Sequence, residues 1–261
     1  MNKILPAPLD VKLMNMVTST LLLVFALLAV GTAVMWVGRQ PLFAIGGIAV
    51  TGEVTHNNAV TLRANVAPRL EGTFFTLDLT AARLAFESVP WVRHATVRRE
   101  FPNRLKVQLQ EHQAVAYWGA EGESRMVNNF GEVFEANVGE AEQESMPRLT
   151  GPDGQAPQVL AMYQALEPLF NEMDLTLGQL ELSVHGGWRV ALDEGAVIEL
   201  GAGTTAEVVA RSQRFLKTLT QVASSYRRKA DALEAADLRH EEGYAIRLRG
   251  VTTLVAAEPK K

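Results

Sequence analysis

The sequence predicts an α+β protein held by a single N-terminal transmembrane helix, and three observations carry that reading. Val17 to Val37 contains no charged residue over 21 positions. At about 1.5 Å rise per residue, such a helix matches the roughly 30 Å hydrocarbon core of a bilayer. Beyond it, residues 44–112 switch from helical to alternating apolar spacing in the order β-α-α-β-β. Residues 113–250 then read as many short strands interrupted by two long amphipathic helices, a mixed β domain with packed helices.

A cleaved signal peptide is the rival for the first run. It needs an apolar stretch of about 7–15 residues closed by small residues. Gly31 and Ala33 imitate that ending, but the run continues through Met35, Trp36 and Val37, which favours an anchor preceded by a tail of residues 1–16. Lys3 and Lys12 precede the span, offset in part by Asp10, and Arg39 follows it. The charge bias weakly places the N-terminus in the cytoplasm and the large C-terminal part outside.

In the first folded part, Ile45–Val50 reads as a strand closed by Gly52. A helix begins near Asn57 or Asn58, both suitable N-caps, with Leu62, Val66 and Leu70 at spacings of four; Pro68 ends or bends it. Asp78 or Thr80 caps a second helix, where Leu79, Ala82, Phe86 and Val89 form an apolar stripe. Pro90 stops it. The strand Trp91–Phe101 places Trp91, Ala95, Val97 and Phe101 on one side, Pro102-Asn103 signals a turn, and Leu105, Val107 and Leu109 alternate inward along the next strand.

The second part offers strands at Ala114–Trp118, Arg125–Asn128, Val133–Phe134 and Pro147–Leu149. A helix over Gln158–Phe170 carries Pro168, which kinks or ends it, and further strands follow at Leu177–Val184, Trp188–Leu192 and Val197–Leu200. Thr204 and Glu207 have capping-box spacing ahead of a helix over Thr205–Ala223, with Val208, Ser212, Phe215, Leu219 and Val222 as its buried stripe. Strands at Ala232–Leu238 and Tyr244–Leu248, joined at Glu241-Glu242-Gly243, close the domain. Residues 251–261 read as a frayed tail.

Composition narrows the function classes. The chain has no cysteine, so it has no thiolate nucleophile and no Cys-ligated zinc site. A net charge of −4 and a pI near 5.8 leave no basic footprint for nucleic acid. His56, His94, His112, His185 and His240 are scattered without metal spacing, and neither G-x-S-x-G nor S-x-x-K occurs. Gly201-Ala202-Gly203 opens a helix but lacks the lysine of a phosphate loop. Glu140, Glu142 and Glu144 alternate in a polar loop and read as solvated. These observations point away from catalysis, from cofactors and from a small-molecule substrate.

Four ordered segments carry a resemblance. Val89-Pro90-Trp91-Val92 through Val97-Arg98-Arg99 to Phe101-Pro102-Asn103-Arg104-Leu105-Lys106-Val107, ending at Glu111, resembles the hairpin of the FtsQ/DivIB cell division family. Leu149-Thr150-Gly151-Pro152-Asp153-Gly154, Leu200-Gly201-Ala202-Gly203 and Ala236-Asp237-Leu238-Arg239 resemble three further segments of that family. The resemblance implies a POTRA domain over 44–112, an FtsQ-type β domain over 113–250, and a scaffold instead of an enzyme. It implies a single-pass inner-membrane protein of type II topology with its bulk in the periplasm at the division site. The implied partners are FtsB and FtsL, with FtsK, FtsW, FtsI and FtsN as further divisome proteins.

The implied mode of binding is addition of a partner strand to an exposed sheet edge. In this sequence it maps to Arg239, His240, Tyr244, Ala245, Arg247 and Leu248. His240 stands where the family commonly has an aromatic residue, and Ala202 stands where some members carry an arginine. Tyr244, Ile246 and Leu248 also alternate as any half-buried strand does. Arg98, Arg99, Arg104 and Lys106 form a basic rim on the hairpin, either a solvated face or a contact for anionic headgroups. A POTRA-bearing component of envelope protein transport or assembly is the alternative; such proteins carry a long barrel for which this chain has no room.

Overall fold

The computed structural model describes residues 9–52, 54–136, 146–240 and 243–251. The acidic run Glu140, Glu142 and Glu144, the turn residues Glu241 and Glu242, and the tail after Val251 lie outside the described residues. The chain divides into two compact units, Met1–Glu111 and His112–Lys261.

Unit 1 opens with α1, Leu9–Gly38, a helix of 30 residues with no buried side chain. It starts eight residues before the charge-free run expected to span the membrane. A helix satisfies its own backbone donors in sequence, so nothing forces it to stop where the apolar run does. The hydroxyls of Thr18, Thr20 and Thr32 donate to the carbonyls of Met14, Met16 and Leu28 at 2.8–2.9 Å. Those bonds remove three polar groups that lipid could not satisfy.

The folded part of unit 1 runs β1 (Gly47–Gly52), α2 (Ala59–Val66), α3 (Leu79–Glu87), β2 (Val92–Glu100) and β3 (Arg104–Glu111). Sheet order is β1-β3-β2, with β1 parallel and β2 antiparallel to β3. Asp78 caps α3, its carboxylate accepting from Thr80 N at 2.7 Å and Ala81 N at 3.3 Å. Leu62 and Val66 of α2 and Phe86 of α3 meet Ala95, Val107 and Leu109 of the sheet in one core.

One expectation fails in the hairpin. Phe101 does not share the inner face with Ala95; it is 84% exposed in the turn. β2 ends at Glu100, so Phe101 lies in the turn, past the alternation; a bulge interrupts the register at the other end of the strand, between Val92 and His94. Beneath this bulge Trp91 takes φ +72° and stacks on His56 with centroids 3.8 Å apart.

Glu111 continues the inward phase of β3 after Leu105, Val107 and Leu109, and so is buried. Its carboxylate accepts from the backbone of Thr55 (2.9 Å), His56 (3.0 Å) and Asn57 (3.0 Å), and from Asn57 Nδ2 (2.9 Å). Burial raises its pKa, but these bonds outweigh burial and hold it below the ordinary glutamate value. One carboxylate thus ties the loop before α2 to the end of the sheet.

Unit 2 is built on a nine-stranded sheet. Its strands are β4 (Ala114–Trp118), β5 (Arg125–Asn128), β6 (Val133–Glu135), β7 (Arg148–Thr150), β8 (Leu177–Leu182), β9 (Gly187–Leu192), β10 (Val197–Ala202), β11 (Leu233–Asp237) and β12 (Ala245–Leu248). Their spatial order is β12-β11-β10-β9-β8-β7-β4-β5-β6. Two parallel neighbours, β7/β8 and β10/β11, are each joined through a helix. These helices are α4 (Ala156–Asn171) and α5 (Thr205–Ser225). Parallel neighbours need a long crossover, which a helix commonly supplies; β4 and β7, also parallel, have β5 and β6 between them in the chain.

Both helices cover one face, where Phe170, Trp188, Phe215 and Leu180 share the core. On the sheet's polar side Arg189 bridges Glu199 at 2.7 Å and Glu181 at 3.5 Å across three strands. α5 starts at the expected capping box, with Thr204 N donating to Glu207 at 2.8 Å. α4 continues three residues past Pro168 to Asn171. Near a helix end, one missing amide donor costs too little to stop the packed turn.

Two outcomes test the Glu111 clamp. Glu111→Gln, which keeps shape but loses charge, is expected to destabilise unit 1 by about 2 kcal/mol, read by urea unfolding monitored through Trp91. A carboxylate with a depressed pKa contributes fully above the unfolded-state value. Stability of wild-type unit 1 therefore falls as pH drops below about 4.5, and the Gln variant loses most of that dependence.

Candidate partner-binding edge

β12 is the last strand of the sheet and pairs only with β11 among the described residues. Its four residues stand opposite β11 in the pairs Asp237↔Ala245, Ala236↔Ile246, Ala235↔Arg247 and Leu233↔Leu248. The other side of β12 presents backbone donors and acceptors that no described strand takes up. Such a row is a template for an incoming strand.

The six residues expected here from the sequence take different positions. Ala245 and Arg247 point outward, and Arg247, 71% exposed at its side chain, stands 3.8 Å from Glu234. Leu248 is 4% exposed and belongs to the core, so it anchors the strand from behind. Tyr244 is half-buried: its ring meets Phe215 edge-on at 5.1 Å, and its hydroxyl lies 2.6 Å from Thr218 Oγ1. His240 is exposed.

Arg239 is held in place. Its Nε and Nη2 donate to the two oxygens of Asp237 at 2.9 and 2.6 Å, and its backbone N–H donates to the same carboxylate at 3.0 Å. This fork holds the Asp237 pKa at about 2. The pairing is therefore intact above the ordinary aspartate value and is lost only as pH falls through about 2. It closes β11 with a side-chain turn and fixes where the following residues start.

Beside β12 lies a cavity of about 190 Å³ lined by Arg211, Arg214, Phe215 and Thr218 of α5 together with His240 and Tyr244. Its floor is aromatic and its mouth is cationic. Arg211 also donates to the carbonyls of Leu200 and Ala202. Gly201 between them has φ +81°, and a side chain there would press on Arg211 and Arg239. A guanidinium thus stands beside Ala202, delivered from a different element. Only the spacing of Arg211, Phe215 and Thr218, one turn apart on α5, hinted that these residues share a face.

The family description "POTRA domain, FtsQ-type" matches residues 43–112, and "Cell division protein FtsQ/DivIB, C-terminal" matches residues 116–239. The chain belongs to the FtsQ/DivIB family of cell division proteins. It is 37% identical over 253 residues to the cell division protein FtsQ of Burkholderia pseudomallei, covering 97% of this chain and 98% of that protein. It is also 37% identical to those of Bordetella pertussis, with 92% of each chain covered, and Thiomonas arsenitoxydans, with 94% and 89% covered. With α1 long and apolar enough to cross a bilayer, this family member is a membrane-anchored division protein. β12 lies beyond Arg239, where the matched stretch ends.

Tyr244→Phe removes one hydroxyl contact while keeping the ring on Phe215. Loss of about 1 kcal/mol is expected to speed amide hydrogen exchange in β12 about fivefold and leave β8–β10 unchanged.

Proposed function

We propose that this protein is a non-catalytic scaffold of the bacterial division machinery, acting from the inner membrane with its two folded units in the periplasm. α1 anchors it, in single-pass type II orientation, and the edge of β12 captures an extended segment of FtsB in complex with FtsL. FtsK, FtsW, FtsI and FtsN are the further divisome proteins it connects. The observation that supports this most is the four-residue strand β12, paired on one side only among the described residues and flanked by the cavity between α5 and Tyr244.

Strand addition needs little of the side chains and much of the backbone. The exposed side chains around the edge then decide which segment is accepted. Those most exposed are His240 and Arg247, the latter 3.8 Å from Glu234, while Arg239 and Tyr244 hold the edge in shape through Asp237 and Thr218. Leu248 supports the strand from the core.

His240→Glu and Arg247→Glu both alter exposed positions, so the fold is expected to persist. Together they should cut recovery of FtsB on the full-length chain by about tenfold or more, since misplaced like charges cost on the order of 1–2 kcal/mol. Undiminished FtsB recovery with the double variant would remove this edge as the site.

The cellular role has its own readout. An N-terminal fluorescent fusion should form a band at midcell, and depletion of the protein should give filaments. An even membrane signal with normal division argues against the scaffold role.

A further inference from the structure

Unit 1 carries an exposed surface that β12 does not use, gathered where α1 ends. Thr73 Oγ1 donates to the carbonyl of Gly38, the last residue of α1, at 2.6 Å. Phe74 N donates to Phe43 O at 2.7 Å. These two bonds seat the loop around Phe75 directly on the exit of the helix. The Phe75 ring meets Phe43 edge-on at 5.1 Å and still remains 54% exposed. Leu42, four residues after the helix, is 87% exposed. Arg99 reaches from β2 and donates to the carbonyls of Phe74 at 2.5 Å and Leu77 at 2.6 Å. The loop is thereby fixed with an apolar residue outward.

The β2–β3 turn lies at the same end of the sheet. β1 is parallel to β3 with Gly47 opposite Arg104, and Gly46 N donates to Asn103 O at 2.8 Å. Phe101, the residue that strand alternation placed in the core, stands outward in this turn. Arg39 and Arg104 are exposed at this end, with Glu100 among them. Three separate segments therefore present large apolar side chains where the apolar helix leaves the unit. Other exposed apolar residues of this unit, such as Val60 and Leu84, lie on the helices α2 and α3; the set drawn from three separate segments is the one beside the end of α1.

We propose that this end of unit 1 is a membrane collar. Leu42, Phe75 and Phe101 enter the interfacial layer of the leaflet from which α1 emerges, and Arg39 and Arg104 meet the phosphates of anionic lipids. The occupant is lipid because the surface is continuous with the span: its loop is hydrogen-bonded to the residue that ends α1. Aromatic rings and arginines at headgroup depth are the usual furniture of that layer. Contact through three segments fixes the tilt of unit 1 on the bilayer. The inference rests on α1 being the membrane span.

The cysteine-free chain makes the test direct. Leu42→Cys, Phe75→Cys and Phe101→Cys, with Leu27→Cys in the span and Gln110→Cys at the opposite end of β3, each receive a nitroxide on the full-length chain. The chain sits in nanodiscs of phosphatidylethanolamine and phosphatidylglycerol, and collision with oxygen is compared with collision with a water-soluble nickel chelate. The collar positions should favour oxygen several-fold over Gln110, approaching Leu27. Values at 75 and 101 equal to that at Gln110, with Leu27 reading lipid, overturn the collar alone. Water-like values at Leu27 overturn the span and the collar with it. Exchanging the anionic lipid for phosphatidylcholine should reduce immersion at Phe101; no change removes the role given to the arginines.

Discussion

Parallel pairing of β10 with β11 is the constraint from which the rest of unit 2 follows. Two parallel strands cannot be joined by a short turn, so the chain must travel the length of the sheet and return through α5. The capping box at Thr204 and Glu207 starts that return, and Phe215 and Leu219 press it onto the sheet. β11 then arrives outside β10, with Leu238 N donating to Glu199 O at 2.8 Å. β12 pairs on the outer side of β11 and becomes one edge of the sheet, with β6 the other. The same crossover carries Arg211, Arg214 and Thr218 to that edge. The cavity and the free strand are one consequence of one topological choice.

Where period alone decides structure, the sequence was readable. β3 alternates without interruption from Arg104 to Glu111, and every odd position is buried. α5 announces itself by cap and stripe together. Phe101 was misplaced because alternation does not mark where pairing ends: β2 stops one residue earlier, at Glu100. The Glu111 clamp did leave a signal: a carboxylate in the inward phase of an apolar strand has to find donors. Three of its donors are the backbone amides of residues 55–57, which carry no side-chain signature. At the edge, the alternation of Tyr244, Ile246 and Leu248 was legible, but the division of labour was not. Arg239 answers to Asp237 and Tyr244 to Thr218, contacts that depend on where α5 lies over the strand. No spacing within β12 encodes them.

A four-residue edge is a modest binding surface. An added strand gains a few backbone hydrogen bonds, each worth about 1 kcal/mol net, while a micromolar complex needs about 8 kcal/mol. On the proposed reading the deficit is met in two ways. The aromatic floor formed by Phe215 and Tyr244 offers apolar burial to one anchoring side chain of the partner. Membrane anchoring supplies the second where the partner is anchored too: confining two such chains to one bilayer turns their encounter into a nearly intramolecular event, with effective concentrations that short tethers raise toward millimolar. Short edge, local pocket and membrane tether are then complementary, and weakening any one should be felt most when another is already reduced.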